Sequence, residues 1–328
     1  MRILFIGGTG VISSACSKLC SEKGYDLYLL NRGNVKLPDS VKHKLLKGDI
    51  RNVDEVKSLI GDQTFDVVVN WIGYSSDHVL TDYELFKDKT SQYVYISSAS
   101  VYQKPSWWKP ITEDVPINNP YWSYAQGKIQ CEETAMRLYE QAGFPVTIVR
   151  PSHTYDKTKI PLFGGYTAID RLLKGRKIII SGDGTSLWTL THSKDFAKGF
   201  IGLLGKKEAI GEAYHITSEE VLTWNQICIT IAEALGVESS IVHIPSDLVK
   251  HFDNEWGDGL LGDKSHCMVF NNSKIRKLVP EFKATIPFSK GAKEITEWYL
   301  GDKSHQIIDD KINWKIDEII GWFEKGLK

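Results

Sequence analysis

Tyr124 and Lys128 stand four residues apart in Tyr124-Ala125-Gln126-Gly127-Lys128, near the head of a stretch that reads as a helix over Tyr121–Ala142. At that spacing two side chains share one helix face. A lysine ammonium near a phenol favours the phenolate and draws the tyrosine pKa down from its ordinary value of about 10. Such a tyrosine serves as general base or general acid. Ser98, in Ser97-Ser98-Ala99-Ser100-Val101-Tyr102, closes an apolar run and offers a hydroxyl that can polarise a substrate oxygen. A Tyr and a Lys at this spacing are common on helix surfaces; they gain weight only in company.

The company is a glycine turn. Gly7-Gly8-Thr9-Gly10-Val11-Ile12-Ser13 follows the first apolar run and opens a helical pattern. Gly7, Gly8 and Gly10 allow a tight turn and close approach of backbone to a pyrophosphate. The amides at the helix start, Val11 and Ile12, face it with the positive end of the helix dipole. Ser13 takes the third glycine position. The second apolar run ends in Asn31-Arg32-Gly33, where NAD sites place a carboxylate and NADP sites favour an arginine for the 2′-phosphate. Asn31 and Arg32 therefore predict NADP as the preferred cofactor, with NAD as the alternative. Asp49 and Ile50, which close the third strand, are predicted to meet the adenine edge.

These residues need a frame. Apolar runs at Arg2–Ile6, Asp26–Leu30, Lys44–Lys47, Asp66–Asn70, Tyr93–Ser97 and Pro145–Arg150 alternate with helical stretches such as Val11–Lys23, Val53–Ile60 and Tyr121–Ala142. Such alternation predicts an α/β fold, a doubly wound parallel sheet of the Rossmann type with ligands at the carboxyl ends of its strands. Beyond Arg150 the pattern loosens into strands Lys177–Ser181 and Ala213–Thr217 and helices Asp195–Leu204 and Trp224–Leu235. The region Asp247–Asn272, rich in Asp, Gly and His, reads either as a lid over a pocket or as an irregular surface connection.

At 328 residues the chain suits two domains or one large α/β unit. A net charge of −1 gives no global field for nucleic acid or anionic lipid. The 10 Trp and 14 Tyr fit core packing, an aromatic-lined pocket, or both. The five cysteines are scattered without a zinc-binding set, which predicts no metal and reduced thiols in a cytoplasmic protein. No run is long enough to span a membrane.

Together these residues resemble the extended, atypical short-chain dehydrogenase/reductases, the NAD(P)-dependent epimerase/dehydratase family, over nearly the whole chain. Thr112-Glu113-Asp114, Arg150-Pro151-Ser152-His153-Thr154-Tyr155 and Gly182-Asp183-Gly184 add to the resemblance. It implies a catalytic Ser98, Tyr124 and Lys128, with Pro151 near the nicotinamide. It also implies a Rossmann domain of residues 1–151 with about 190–218, and a smaller C-terminal α/β substrate region, 152–189 with 219–328. The expected substrate is a small molecule, a sugar or sugar nucleotide, and a homodimer through helices of the Rossmann domain is open. Family dehydratases carry Asp-Glu where Ala99-Ser100 stands, which leaves an epimerase or keto-reductase. Members acting on nucleotide sugars often have Asn at His153 and Arg at Trp188. Ser100, His153 and Trp188 are thus candidate substrate contacts, although His153 and Trp188 also fit simple packing. The Gly-Gly-Thr-Gly turn with Asn31-Arg32-Gly33 further resembles the branch containing chloroplast stem-loop-binding proteins. That leaves a rival reading, a cofactor-binding, regulatory or RNA-associated protein with little catalysis; the net charge speaks against nucleic acid.

Overall fold

Short apolar runs followed by amphipathic helices bury both faces of a sheet only when the helices cross over it alternately. The computed structural model, which describes residues 1–107 and 110–326, has this architecture. Strands β1 (Arg2–Ile6), β2 (Asp26–Asn31), β3 (Lys44–Lys47), β4 (Val67–Asn70), β5 (Tyr93–Ile96) and β6 (Val146–Pro151) join Ala213–Ile216 in one seven-stranded sheet. All its pairings are parallel, in the order Ala213–Ile216, β6, β5, β4, β1, β2, β3. The order reverses between β1 and β4, so their carboxyl ends open a crevice.

The pleat sorts the core. Ile3 and Phe5 of β1 pack with Cys16 and Cys20 of α1 (Val11–Glu22) and Phe200 of the helix Ser193–Leu203. Leu4 and Ile6 point the other way, to a cluster shared with α2 (Val53–Ile60), α3 (Ser76–Phe86) and α4 (Ser123–Ala142). A third cluster, around Tyr155, Trp188, Trp224 and Phe288, joins the second half of the chain to Ala99, Tyr102, Ile111 and Val115.

Element ends shift by one or two residues from those read, and one region changes character. The helix read from Tyr121 begins at Ser123, because Trp122 is extended at φ −130° and ψ 115°. The strand read over Pro145–Arg150 runs Val146–Pro151, one residue later. Asp247–Asn272 is largely helical rather than irregular. It holds the helices Ser246–Phe252 and Asn254–Gly259 and a π-helical turn Leu260–Lys264. Its periodicity is hidden because each piece is short and its glycines serve contacts. A Cβ on Gly257 would lie 2.3 Å from Lys250 Cα, and one on Gly262 2.6 Å from Trp122 Cβ. Asp253 starts the second helix by accepting from Trp256 N–H at 2.9 Å. This cap packs on the site side of Trp122. No helix among the described residues is long and apolar enough to cross a membrane.

Candidate active site

The glycine turn lies at the end of β1. Gly7 and Gly8 have φ +103° and +94°, a region open chiefly to glycine. A Cβ on Gly8 would stand 2.6 Å from Leu29 Cδ2. Gly10 differs: its φ is −83°, and a Cβ there would meet nothing nearer than Ser13 Oγ at 3.5 Å. Ser13 caps the turn by accepting from Gly10 N–H at 2.8 Å. The amides of Val11, Ile12 and Ser13 have no acceptor among the described residues. A bare backbone at Gly10 and free amides at a helix start are the donor set a pyrophosphate needs, so the residues present fit a dinucleotide.

The neighbouring groups divide. Asn31 donates to Gly7 O at 3.2 Å and accepts from Gly33 N–H at 2.8 Å, tying β2 to the turn. Arg32 is exposed and has no acceptor among the described residues. Asp49 accepts from Arg51 N–H at 3.0 Å, and Ile50 is buried.

Ser98, Tyr124 and Pro151 line one cavity of about 930 Å³. Ser98 sits just beyond β5; Tyr124 and Lys128 sit on the first turns of α4. Lys128 is 2% exposed and donates to Gly73 O at 2.7 Å and Ile96 O at 2.8 Å. Its Nζ lies 5.9 Å from the Tyr124 ring centroid and 4.6 Å from that of Tyr74. The expected lowering of the Tyr124 pKa is not what these surroundings produce. Burial of the phenol, with Tyr74 adding to it, pushes Tyr124 up to about 12; the Ser98 hydroxyl acts the other way. Burial also brings Lys128 down to about 8. Although Tyr124 is 38% exposed, desolvation is the largest influence on both groups.

The other expected contacts gather on the same cavity. Ser100 is 3% exposed and hydrogen-bonded to Ser98. His153 and Trp188 line it too, their rings 6.2 Å apart and edge to face, with Trp224 5.1 Å from Trp188. Trp188 is only 2% exposed and belongs to the third core cluster as well, so packing and lining are both true of it. Burial, with Lys264 and Lys159 nearby, holds His153 well below the ordinary histidine range. His192 is a satisfied structural residue. It faces Glu294 Oε2 at 3.1 Å and accepts from Lys194 N–H at 3.1 Å.

One segment of the site escaped sequence reasoning, the loop after β4, Trp71-Ile72-Gly73. A Cβ on Gly7 would meet Ile72 Cγ2 at 3.3 Å, and Gly73 O receives both Lys128 and, at 3.1 Å, Tyr95. Its only signal is Asn70 and Gly73 at a strand exit. The cap within Asp247–Asn272, read from the sequence as either a lid over a pocket or an irregular connection, contributes Trp256, Asp263 and Lys264 to the lining. Asn119 joins the cap to the Ser98–Ser100 turn: its Nδ2 donates to Ser100 O at 2.8 Å and to Gly262 O at 2.6 Å.

The profile of the NAD dependent epimerase/dehydratase family matches residues 3–91 and 83–217. The chloroplast stem-loop binding protein of 41 kDa b of Arabidopsis thaliana is 31% identical over 261 residues, which cover 74% of this chain and 65% of that protein. The epimerase Mth375 of Methanothermobacter thermautotrophicus superposes with a TM-score of 0.76 at 17% identity, over 93% of this chain and 94% of that one. The UDP-glucuronic acid 4-epimerase of Bacillus cereus, in complex with UDP-glucuronic acid and NAD, gives 0.74 at 21% identity, over 92% and 99%. At these identities the structural likeness is one of fold.

Proposed function

The chain belongs to the NAD dependent epimerase/dehydratase family, and from that premise we propose that it is an NAD(P)-dependent epimerase or keto-reductase acting on a hydroxyl or keto group of a sugar or sugar-nucleotide-like substrate. The observation that carries this reading is the meeting of Ser98 and Tyr124 on one cavity wall, with Lys128 a helical turn behind. Gly7, Gly10, Val11 and Ile12 would hold the pyrophosphate, Asn31, Arg32, Asp49 and Ile50 the adenosine side, and Pro151 would border the nicotinamide. When bound, the dinucleotide supplies the hydride acceptor and donor. Tyr124 Oη as phenolate, a form that the positive charge of a bound oxidised nicotinamide would favour, takes the proton of a substrate hydroxyl on oxidation; as phenol it returns that proton to the ketone on reduction. Ser98 donates to the same oxygen. Lys128 holds the carbonyls of Gly73 and Ile96, fixing the floor on which Tyr124 stands. Residues 152–189 and 219–328 supply most of the remaining wall and are assigned to substrate recognition.

The test is a panel of keto and hydroxy sugars, free and nucleotide-linked, with cofactor absorbance as readout. Tyr124→Phe should lower turnover by roughly 10²–10⁴-fold, the usual worth of general acid–base catalysis, and leave cofactor affinity little changed. Full turnover in that variant removes Tyr124 from the mechanism. No 4-keto-6-deoxy product is expected from nucleoside-diphosphate hexoses, because Ala99-Ser100 lacks the carboxylates for water elimination. The exposed Arg32 supports a preference for NADP(H) over NAD(H). The 31% relative supports a second reading, a cofactor-binding RNA-associated protein. RNA binding without turnover on the whole panel would establish that one instead.

A further inference from the structure

Ser98 caps the single turn Ala99–Val101 and Ser100 lies at its centre, and their hydroxyls meet. Ser98 Oγ accepts from Ser100 N–H at 3.2 Å and from the Ser100 hydroxyl at 2.9 Å. A hydroxyl carries one proton and two lone pairs. Both lone pairs of Ser98 are thereby engaged, and what it has left is its proton. Ser98 lines the cavity beside Tyr124, so the proton is given in that direction. Ser100 is itself held in place: it is 3% exposed, and its carbonyl accepts from Asn119 Nδ2 at 2.8 Å.

We propose that Ser100 is a positioning residue that locks Ser98 as a hydrogen-bond donor; this rests on the reading of Ser98 and Tyr124 as the catalytic pair. Donation into Ser98 also strengthens donation out of it. The lock divides labour at the reacting oxygen. A bound ketone accepts from Ser98 with one lone pair and from Tyr124 with the other. A bound alcohol cannot point its proton at Ser98, which has no lone pair to receive it, so that proton faces Tyr124. The substrate class this suits is a secondary alcohol or its ketone, whose oxygen passes between those two states. A carboxylate at position 100 would only accept, and in this pocket it would compete for the Ser98 proton.

The experiment compares Ser100→Ala, Ser100→Thr and Ser100→Asp with wild type and Tyr124→Phe. One readout needs no substrate. The protein is labelled with [13Cζ]tyrosine, the Tyr124 signal is assigned from Tyr124→Phe, and it is titrated with NAD or NADP present. Losing the Ser98 donor should move the Tyr124 midpoint upward in Ser100→Ala and further in Ser100→Asp, with Ser100→Thr restoring it. The second readout is turnover on whichever alcohol or ketone the panel yields. Ser100→Ala should lower kcat by roughly 3–10-fold, the worth of one net hydrogen bond, with KM and cofactor affinity unchanged. Ser100→Cys, similar in shape and a weaker donor, replaces the alanine variant if that one does not fold. A Ser100→Ala protein with the wild-type Tyr124 midpoint and wild-type kcat overturns the proposal. Full turnover in Tyr124→Phe instead overturns the reading beneath it, and the two failures are distinct.

Discussion

Arg32 shows how far a single side chain can be read. Its position one residue past the end of β2 is visible in the sequence, and in the fold it is exposed with no acceptor among the described residues. A guanidinium free of internal partners keeps its full capacity for a phosphate. Arg32→Ala should therefore weaken NADP(H) binding by roughly 1.5–3 kcal/mol and leave NAD(H) binding nearly unchanged. Calorimetry with both cofactors at one ionic strength checks this, and equal losses for the two would remove Arg32 from 2′-phosphate recognition. Tyr124 and Lys128 show the converse. Their spacing is local and legible, since one helix suffices to align them. Their protonation is not, because it depends on Gly73 and Ile96, which lie 55 and 32 residues from Lys128 and arrive only with the folded sheet. A pairwise argument from two charges predicted a lowered Tyr124; burial by the surrounding walls raised it to about 12.

The glycine turn was legible as an element, because strand, glycines and helix follow one another without a gap. Its two working glycines nevertheless do different things, and that only the backbone angles reveal. Gly8 needs its φ of +94° and abuts Leu29, whereas Gly10 has an ordinary φ of −83° and open space where a ligand would lie. Gly8→Ala should cost about 1–3 kcal/mol of stability through backbone strain and crowding. Gly10→Ala should cost less than about 1 kcal/mol yet weaken dinucleotide binding, because its new methyl occupies the approach to the free amides. Urea midpoints and cofactor titrations on the two variants separate these roles; a large stability loss in Gly10→Ala would contradict the assignment. The cap over the cavity was the least legible element. Helices of six and seven residues leave too few turns for a periodic signal. Their glycines also mimic loop chemistry while serving close contacts with Trp122 and Lys250.

Across the whole molecule the polar groups sealed inside the sheet set its response to pH. Asp82 of α3 is wholly buried, bonded to Asn70 and to the Tyr93 hydroxyl at 2.6 Å, and one of its oxygens has no partner among the described residues. Burial raises its pKa from 3.8 to about 6. A carboxyl with a raised folded pKa binds its proton more tightly in the native state. Its contribution is therefore most favourable below the unfolded value and is lost as pH rises through about 6. The loss amounts to about 3 kcal/mol by pH 8. Two histidines slope the other way: desolvation lowers the half-buried His153 and the buried His215, which costs stability as pH falls below about 6.5. The comparison must thus be wild type against Asp82→Asn at each pH. The variant should gain on wild type between pH 5 and 8, as followed by thermal or urea midpoints; parallel curves would show that Asp82 does not titrate there.

The cavity wall has an optical consequence. Trp122, Trp188, Trp224 and Trp256, four of the chain's ten tryptophans, face the same space as Ser98 and Tyr124. Indole emission moves to the blue when water leaves its surroundings, and a reduced nicotinamide absorbs where indole emits. Occupants of this cavity are thus reported by the protein's own fluorescence, so candidate ligands can be ranked by titration before any of them is shown to react.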